Sequence, residues 1–399
     1  MAFRDLRDYI ASLKKEGEVQ EIQKEVDWNL ELGAVIRRSY DLGAPAPFFQ
    51  KITGYSSDYR VFGAPVGLSK NPSREYARVA LALGMDPRSS MEDIIEEYVS
   101  RRRCPVKPVI VSGGPCKENV HVGPEVDLEE FPAPFLHEGD GGRYIGSWHT
   151  VVTRDPDTGW VNWGTYRLMV HDKTSLGCNL GPNQHAAHQL YQKYEARGQR
   201  MEFAIAIGTE PVTTLVSATK IAAEVHEVDL VGALRREPVE LVRCETVDLT
   251  VPATSEIVIE GEVLPGERKD EGPFGEFTGY RVSEREPMPV FRVKAITHRH
   301  QPILPVTCVG VPVDDGDVVS AVTGSGEILA QLRERGYPVR MVYCPPEGVG
   351  LVTVVSTKVP YPNFVHHLAL NVWGGAGRSS WYLIVVDDDI DATNMKEVI

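Results

Sequence analysis

Residues 148–171 read WHTVVTR, then DPDTG, then WVNWGTYRLMVH. Two runs rich in β-branched and aromatic residues flank a turn signal, which predicts a pair of strands. Similar short runs follow: FAIAIG (203–208), EIVIEGEV (256–263), FRVKAITHR (291–299) and PILPVTCV (302–309). Helices are expected over HAAHQLYQKYEARG (185–198) and over Ala222–Leu234, where apolar residues recur at helical spacing. Many strands with few helices predict a central split β-barrel domain over residues 116–310, better than a doubly wound sheet.

Outward from this centre the pattern turns α/β. Toward the N-terminus, Phe3, Leu6, Ile10 and Leu13 mark one helix that Gly17 can end, and 30–42 a second. SMEDIIEEYVSRRR (90–103) reads as a third, with Ser90 as N-cap, acids early and arginines late. Strands near Arg60–Phe62 and Val109–Val111 complete an expected N-terminal α/β domain, residues 1–115. Beyond 310, GEILAQLRERGYP and NFVHHLALNVWG read as helices; VRMVYC, LVTVVSTKV and SSWYLIVVDDDI read as strands. The expected C-terminal α/β domain, 311–399, looks incomplete, because the chain stops nine residues into a further helical pattern. HEGDGGRYIG (137–146) reads as a flexible loop.

Composition narrows the function classes. Of 399 residues, 56 are Asp or Glu and 42 Lys or Arg, a net charge of −14. Such a surface repels nucleic acid and anionic lipid, so neither is an expected partner. An anionic substrate needs a local cation. No apolar run approaches the roughly 18 residues of a membrane span, and no signal peptide is evident. The six cysteines form no C-x-x-C pair. Free thiols in a reducing cytoplasm are therefore expected.

Phosphate-loop, dinucleotide, nucleophile-elbow and H-E-x-x-H motifs are missing. His185 and His188 could face one metal from a helix, though an ordinary solvated pair fits the spacing better. Three stretches stand out. In VNWGTYRLMVHD (161–172), Asn162 offers a neutral oxygen and Arg167 a planar partner for a carboxylate; a half-exposed strand explains them equally well. In EVHEVDLVGAL (224–234), Glu227 shares a face with apolar residues, so it either reaches water or is paired with a cation. In DEGPFGEFTGY (270–280), Glu271 and Glu276 are separated by Gly272, Pro273 and Gly275. A tight backbone there could aim both acids at one point and leave one protonated near neutral pH, or simply form a solvated turn.

Taken in order, NWGTYR, GPNQH, HEVDLVGALRREPVEL, EGPFGEFTGY and VVDDDID resemble the UbiD-like decarboxylases over essentially the whole chain. The resemblance implies prenylated FMN as cofactor, with Mn²⁺ and K⁺ at its phosphate. It implies that Asn162, His185 and Glu227 hold Mn²⁺, and that Trp163, Val216, Ser217, Thr219 and Glu227 contribute to a K⁺ site. Cofactor contacts would come from Asn162, Trp163, Gly164, Thr165, Tyr166, Arg167, Asn179, Leu180, Gly181, Gln184, His185 and Glu227, with Arg378 a candidate basic contact. Arg167, Glu271 and Glu276 resemble the catalytic network. Arg167 would orient the substrate carboxylate and keep Glu271 ionised, and Glu276 would deliver the proton that replaces CO₂.

The implied reaction is the reversible decarboxylation of an aromatic, heteroaromatic or α,β-unsaturated acid through a covalent cofactor adduct. A separate flavin prenyltransferase would supply the cofactor. The family usually continues beyond VVDDDID into a helical segment that helps it form homo-oligomers, so a homodimer or higher assembly is expected. Two alternatives remain at this point: an FMN oxidoreductase on a similar barrel, and a non-catalytic flavin- or metal-binding module.

Overall fold

The computed structural model describes residues 2–399. Its centre is a nine-stranded antiparallel sheet that curls as an open half-barrel. Along its main path the order is Arg143–Gly146, Leu168–Asp172, Ser175–Cys178, Glu286–His298, Ile257–Glu271, Met201–Ile207, His149–Arg154, Val161–Gly164. Asn119–Val122 pairs with the far end of Glu286–His298. The two end strands do not bond to each other, so the barrel stays split.

The opening stretch folds as its sequence dictates. His149–Arg154 pairs antiparallel with Val161–Gly164. In the turn between them the Asp155 carboxylate accepts from the Asp157 and Thr158 N–H groups at 2.9 and 3.2 Å, and Gly159 takes a positive φ. One face of the sheet packs Phe203, Ile205, Ile257, Ile259 and Phe291 into a core. The other contributes Trp148, Val152, Trp163, Ala204 and Val258 to a second core that continues into the flanking units.

The N-terminal sheet has the order Val19–Ile22, Ala46–Phe49, Arg60–Gly63, Ile303–Val306. Its last strand corrects the sequence reading. PILPVTCV was expected in the central sheet, yet Ile303–Val306 pairs parallel with Arg60–Gly63. Fully buried on both sides, this run lacks the alternation that would tell one sheet from another. Val109–Ile110 departs the other way. It pairs with Glu240–Arg243 in a small sheet beside Thr250–Pro252, not with the N-terminal strands. The C-terminal unit has strands Val339–Tyr343, Val352–Thr357 and Tyr382–Val386, with helices Ser325–Glu334 and Phe364–Trp373.

One local reading holds and two shift. The helix Met91–Arg102 has the expected Ser90 cap, with Ser90 and Asp93 bonding reciprocally. The helix expected from Ala222 starts only at Glu227, because Glu224 adopts a positive φ and breaks the turn before it. HEGDGGRYIG is not wholly loop, since Arg143–Gly146 is the first strand of the central sheet. All six cysteines are unpaired. Among the described residues, no helix is long and apolar enough to cross a membrane.

Candidate active site

A cavity of about 890 Å³ opens where the strand Val161–Gly164 meets the helices Pro211–Ser217 and Glu227–Arg235. Of the residues singled out in the sequence, Asn162, Trp163, Gly164, Thr165, Tyr166, Gln184, His185, Ser217, Thr219 and Glu227 line it. Arg378 lines it too, from the C-terminal unit. Arg167, Asn179, Leu180, Gly181 and Val216, expected at the cofactor or its ions, do not, nor do Glu271 and Glu276. Leu180 and Val216 are buried in the two cores, and Gly181 N–H instead donates to Gln184 Oε1 at 2.8 Å.

Asn162 and Glu227 are nearly inaccessible, at 1% and 2% exposure. Asn162 donates both its side-chain bonds through Nδ2, to Tyr166 Oη at 3.2 Å and Thr153 Oγ1 at 3.4 Å. Its Oδ1 has no protein donor among the described residues, so a neutral oxygen ligand is left over. Glu227 opens its helix, where the helix dipole favours an anion. Trp163 N–H donates to its carboxylate at 3.3 Å, but no cation pairs with it among the described residues. Burial therefore pushes this carboxyl up to about 8. His185 packs edge-on against Trp160 with ring centroids 5.1 Å apart, and burial followed by the charge of Arg378 lowers its pKa. An amide oxygen, an imidazole and an unanswered carboxylate in one wall suit a divalent cation. The Ser217 and Thr219 hydroxyls donate to Thr213 O at 2.8 Å and Leu215 O at 2.7 Å, and Ser217 Oγ accepts from Thr150 Oγ1 at 2.8 Å, so each oxygen keeps a lone pair that could face a monovalent cation.

Sequence reasoning missed Lys220. It lines the cavity, bonds Ser379 Oγ at 2.8 Å and has its pKa lowered by burial and by neighbouring Arg378. Two cations sharing one wall without an acid between them make a ready anion site, fit for a phosphate. The available signal was that Lys220 is the lone charge in PVTTLVSATKIAA (211–223).

Arg167, next in sequence to Tyr166, carries a second cluster. Its Nε and Nη2 donate to Glu271 at 2.9 and 2.7 Å, a bidentate pair, while Nη1 donates to Glu276. The turn thus brings both acids onto one guanidinium, as one of the two readings of the stretch anticipated. Tyr144 Oη also donates to Glu271 at 2.9 Å, and Phe274 lies under the guanidinium at 5.2 Å. Gly272 has a positive φ, and a Cβ there would stand 3.2 Å from Arg167 Nη2. Burial raises the pKa of Glu276; Arg167 pulls it down, and Glu271 and Asp140 push it up again.

The loop carrying Glu276 is tethered by residues the sequence reading passed over. Gly275 N–H donates to Asp140 Oδ1 at 3.0 Å, and Asp140 Oδ2 faces His137 Nδ1 at 3.0 Å. Cys308 Sγ lies 3.3 Å from His137 Nε2. Burial opposes charge on His137, but Asp140 and Cys308 outweigh it and raise its pKa to about 10. Phe277, the residue after Glu276, lines a second cavity of about 260 Å³. That cavity shares Ala218, Thr219, Lys220 and Ser379 with the first, so the two adjoin.

Three family models cover the chain: the 3-octaprenyl-4-hydroxybenzoate carboxy-lyase N-terminal domain at residues 10–98, its Rift-related domain at 107–312 and its C-terminal domain at 318–399. The pyrrole-2-carboxylic acid decarboxylase of Pseudomonas aeruginosa is 36% identical over 99% of this chain and 82% of its own. The closed form of Sedimentibacter hydroxybenzoicus vanillic acid decarboxylase superposes with a TM-score of 0.91, at 33% identity, over 100% of this chain and 84% of that one. An evolved dimeric form of the UbiD-class enzyme HmfF from Pelotomaculum thermopropionicum, in complex with prFMN, gives 0.87 at 30% identity, over 99% and 88%. With all three domains matched and relatives alike over 99–100% of this chain, the chain belongs to the UbiD family of decarboxylases and is a carboxy-lyase.

Proposed function

We propose that this chain decarboxylates, reversibly, an aromatic, heteroaromatic or α,β-unsaturated carboxylic acid with prenylated FMN as cofactor. The observation that carries the reading is the Arg167 guanidinium bonding both Glu271 and Glu276, one residue beyond Tyr166, which lines the cavity together with Asn162, His185 and Glu227.

The residues fit the cofactor. Asn162, His185 and Glu227 would hold Mn²⁺, Lys220 and Arg378 would meet the phosphate, and Trp163, Ser217, Thr219 and Glu227 would contribute to a K⁺ site. When bound, the prenylated flavin supplies an electron sink, by covalent attachment of the substrate, for the electron pair left as CO₂ departs. The chain does the rest. Arg167 orients the substrate carboxylate and, bidentate to Glu271, keeps that acid in place under Tyr144. Glu276, whose burial favours its protonated form, then donates a proton to the carbon that lost CO₂. In the carboxylation direction the same group removes that proton.

Apolar side chains left exposed in the C-terminal unit, Leu370, Trp381 and Tyr382, support assembly as a homodimer or higher homo-oligomer. A flavin prenyltransferase is the partner that would supply the cofactor.

The test is production of the protein with and without a flavin prenyltransferase, followed by a panel of such acids scored for CO₂. Release that depends on the prenyltransferase is expected. Turnover with plain FMN accompanied by flavin reduction, without CO₂, would establish the oxidoreductase reading instead.

A further inference from the structure

On the far end of the central sheet, His121, Glu130 and His298 converge. In the antiparallel register His121 lies opposite Ile296, and His298 is two residues further on, so both imidazoles project from one face as diagonal neighbours. Their ring centroids are 5.3 Å apart, at 87°. Glu130 ends the short turn Leu128–Glu130, whose first N–H groups are capped by Asp127 accepting from Glu129 N–H at 2.9 Å. The turn puts Glu130 Oε2 3.3 Å from His121 Nδ1 and Oε1 3.9 Å from His298 Nε2. One ligand atom from each residue falls within 4.8 Å of the others.

Two further observations separate this from a chance ion pair. First, His298 Nδ1 lies 2.8 Å from Arg299 O, a far closer contact than the Asn119 Nδ2 at 3.5 Å, whose better bond is to His298 O at 3.1 Å. A carbonyl only accepts, so Nδ1 carries the hydrogen and Nε2 keeps a bare lone pair. That nitrogen is buried without a hydrogen-bond partner among the described residues, in a side chain only 7% exposed, and it is directed toward Glu130. Backbone anchoring of one ring nitrogen with the other left bare is the arrangement of a metal-ligating histidine. Second, the carboxylate is itself oriented, since Tyr59 Oη donates to Glu130 Oε1.

We propose that His121, Glu130 and His298 form a second metal site, built for Zn²⁺. Two imidazoles and one carboxylate are borderline donors that suit zinc better than an oxygen-seeking cation. Bonds of about 2.0–2.2 Å place tetrahedral ligands about 3.4 Å apart, so the three ligand atoms, now within 4.8 Å of one another, would close in around the ion. A fourth position is free for water, because His121 and Glu130 are 29% and 26% exposed. None of the three lines the cavity or bonds the Arg167 cluster. The ion pins the Leu128–Glu130 turn to the sheet edge, independently of the reading of the active site.

The experiment strips the full chain with a chelator and titrates it with ZnCl₂ by calorimetry, in a His185→Ala background that disables the cavity. One tight equivalent of Zn²⁺ is expected. Adding His121→Ala or Glu130→Gln should weaken it at least about 100-fold, and Tyr59→Phe about 10-fold. Co²⁺ should give a tetrahedral visible spectrum in the background protein that His121→Ala removes. His121 is partly exposed, so its loss spares the core and the test does not depend on the buried His298. No tight Zn²⁺ in the His185→Ala protein, or Zn²⁺ binding unchanged by His121→Ala, would overturn the site.

Discussion

Glu271 and Glu227 are both almost wholly buried, at 1% and 2% exposure, yet their surroundings treat charge in opposite ways. Glu271 has its charge answered within the chain, by two bonds from Arg167 and one from Tyr144. Among the described residues Glu227 receives one long backbone bond and no cation, and burial pushes its carboxyl up to about 8. In the proposed reading, the first is preassembled catalytic machinery. The second would be half of a binding site, whose desolvation cost a cation would offset.

The contrast breaks most sharply at Arg167. Arg167→Ala should abolish CO₂ release. It should also cost about 3–5 kcal/mol of stability, because Glu271 would be left buried and unpaired; denaturant unfolding reads the second effect. Glu276→Gln keeps the shape and removes the proton, so turnover should fall roughly 10²–10⁴-fold with cofactor still bound. Wild-type rates on that scale would refute the donor role. At the other site, Glu227→Gln should lower Mn²⁺ affinity by at least about 100-fold while leaving the stability of the unloaded protein nearly unchanged or raised. Metal analysis and a melting curve separate those two effects.

A pH profile sharpens the comparison further. A proton donor works in its protonated form, so its contribution is full below its pKa and is lost as pH rises through it. Burial has moved Glu276 upward, so the alkaline limb of kcat/KM should lie above the ordinary carboxylate range and vanish in Glu276→Gln. The smallest effect is expected at Asp140→Asn, which weakens the tether on Gly275 and His137. We expect kcat to fall about tenfold with little change in KM, as for a misplaced donor.

Much of this was legible in the sequence where a local rule applies. The Ser90 cap, the Asp155 turn and the strand pair around it depend on neighbours in the chain and came out as read. The gathering of Glu271 and Glu276 was one of two open readings, and only Arg167, more than a hundred residues away, decides between them. Ile303–Val306 could not be assigned to its sheet, because a run buried on both faces carries no mark of its partner. Lys220 and the His137–Asp140 tether were equally hidden. Their roles come from contacts with Ser379, Gly275 and Cys308, and no spacing in the sequence announces those.

The wall formed by Lys220, Arg378 and Ser379 spans two folding units. Lys220 follows a helix of the central unit, while Arg378 and Ser379 sit in a loop of the C-terminal one. Side by side, the two positive groups repel across that seam, and Lys220 bridges it to Ser379. If the cofactor phosphate of the proposed reading settles between them, it would turn repulsion into a cross-link, so loading would also tie the central and C-terminal units together.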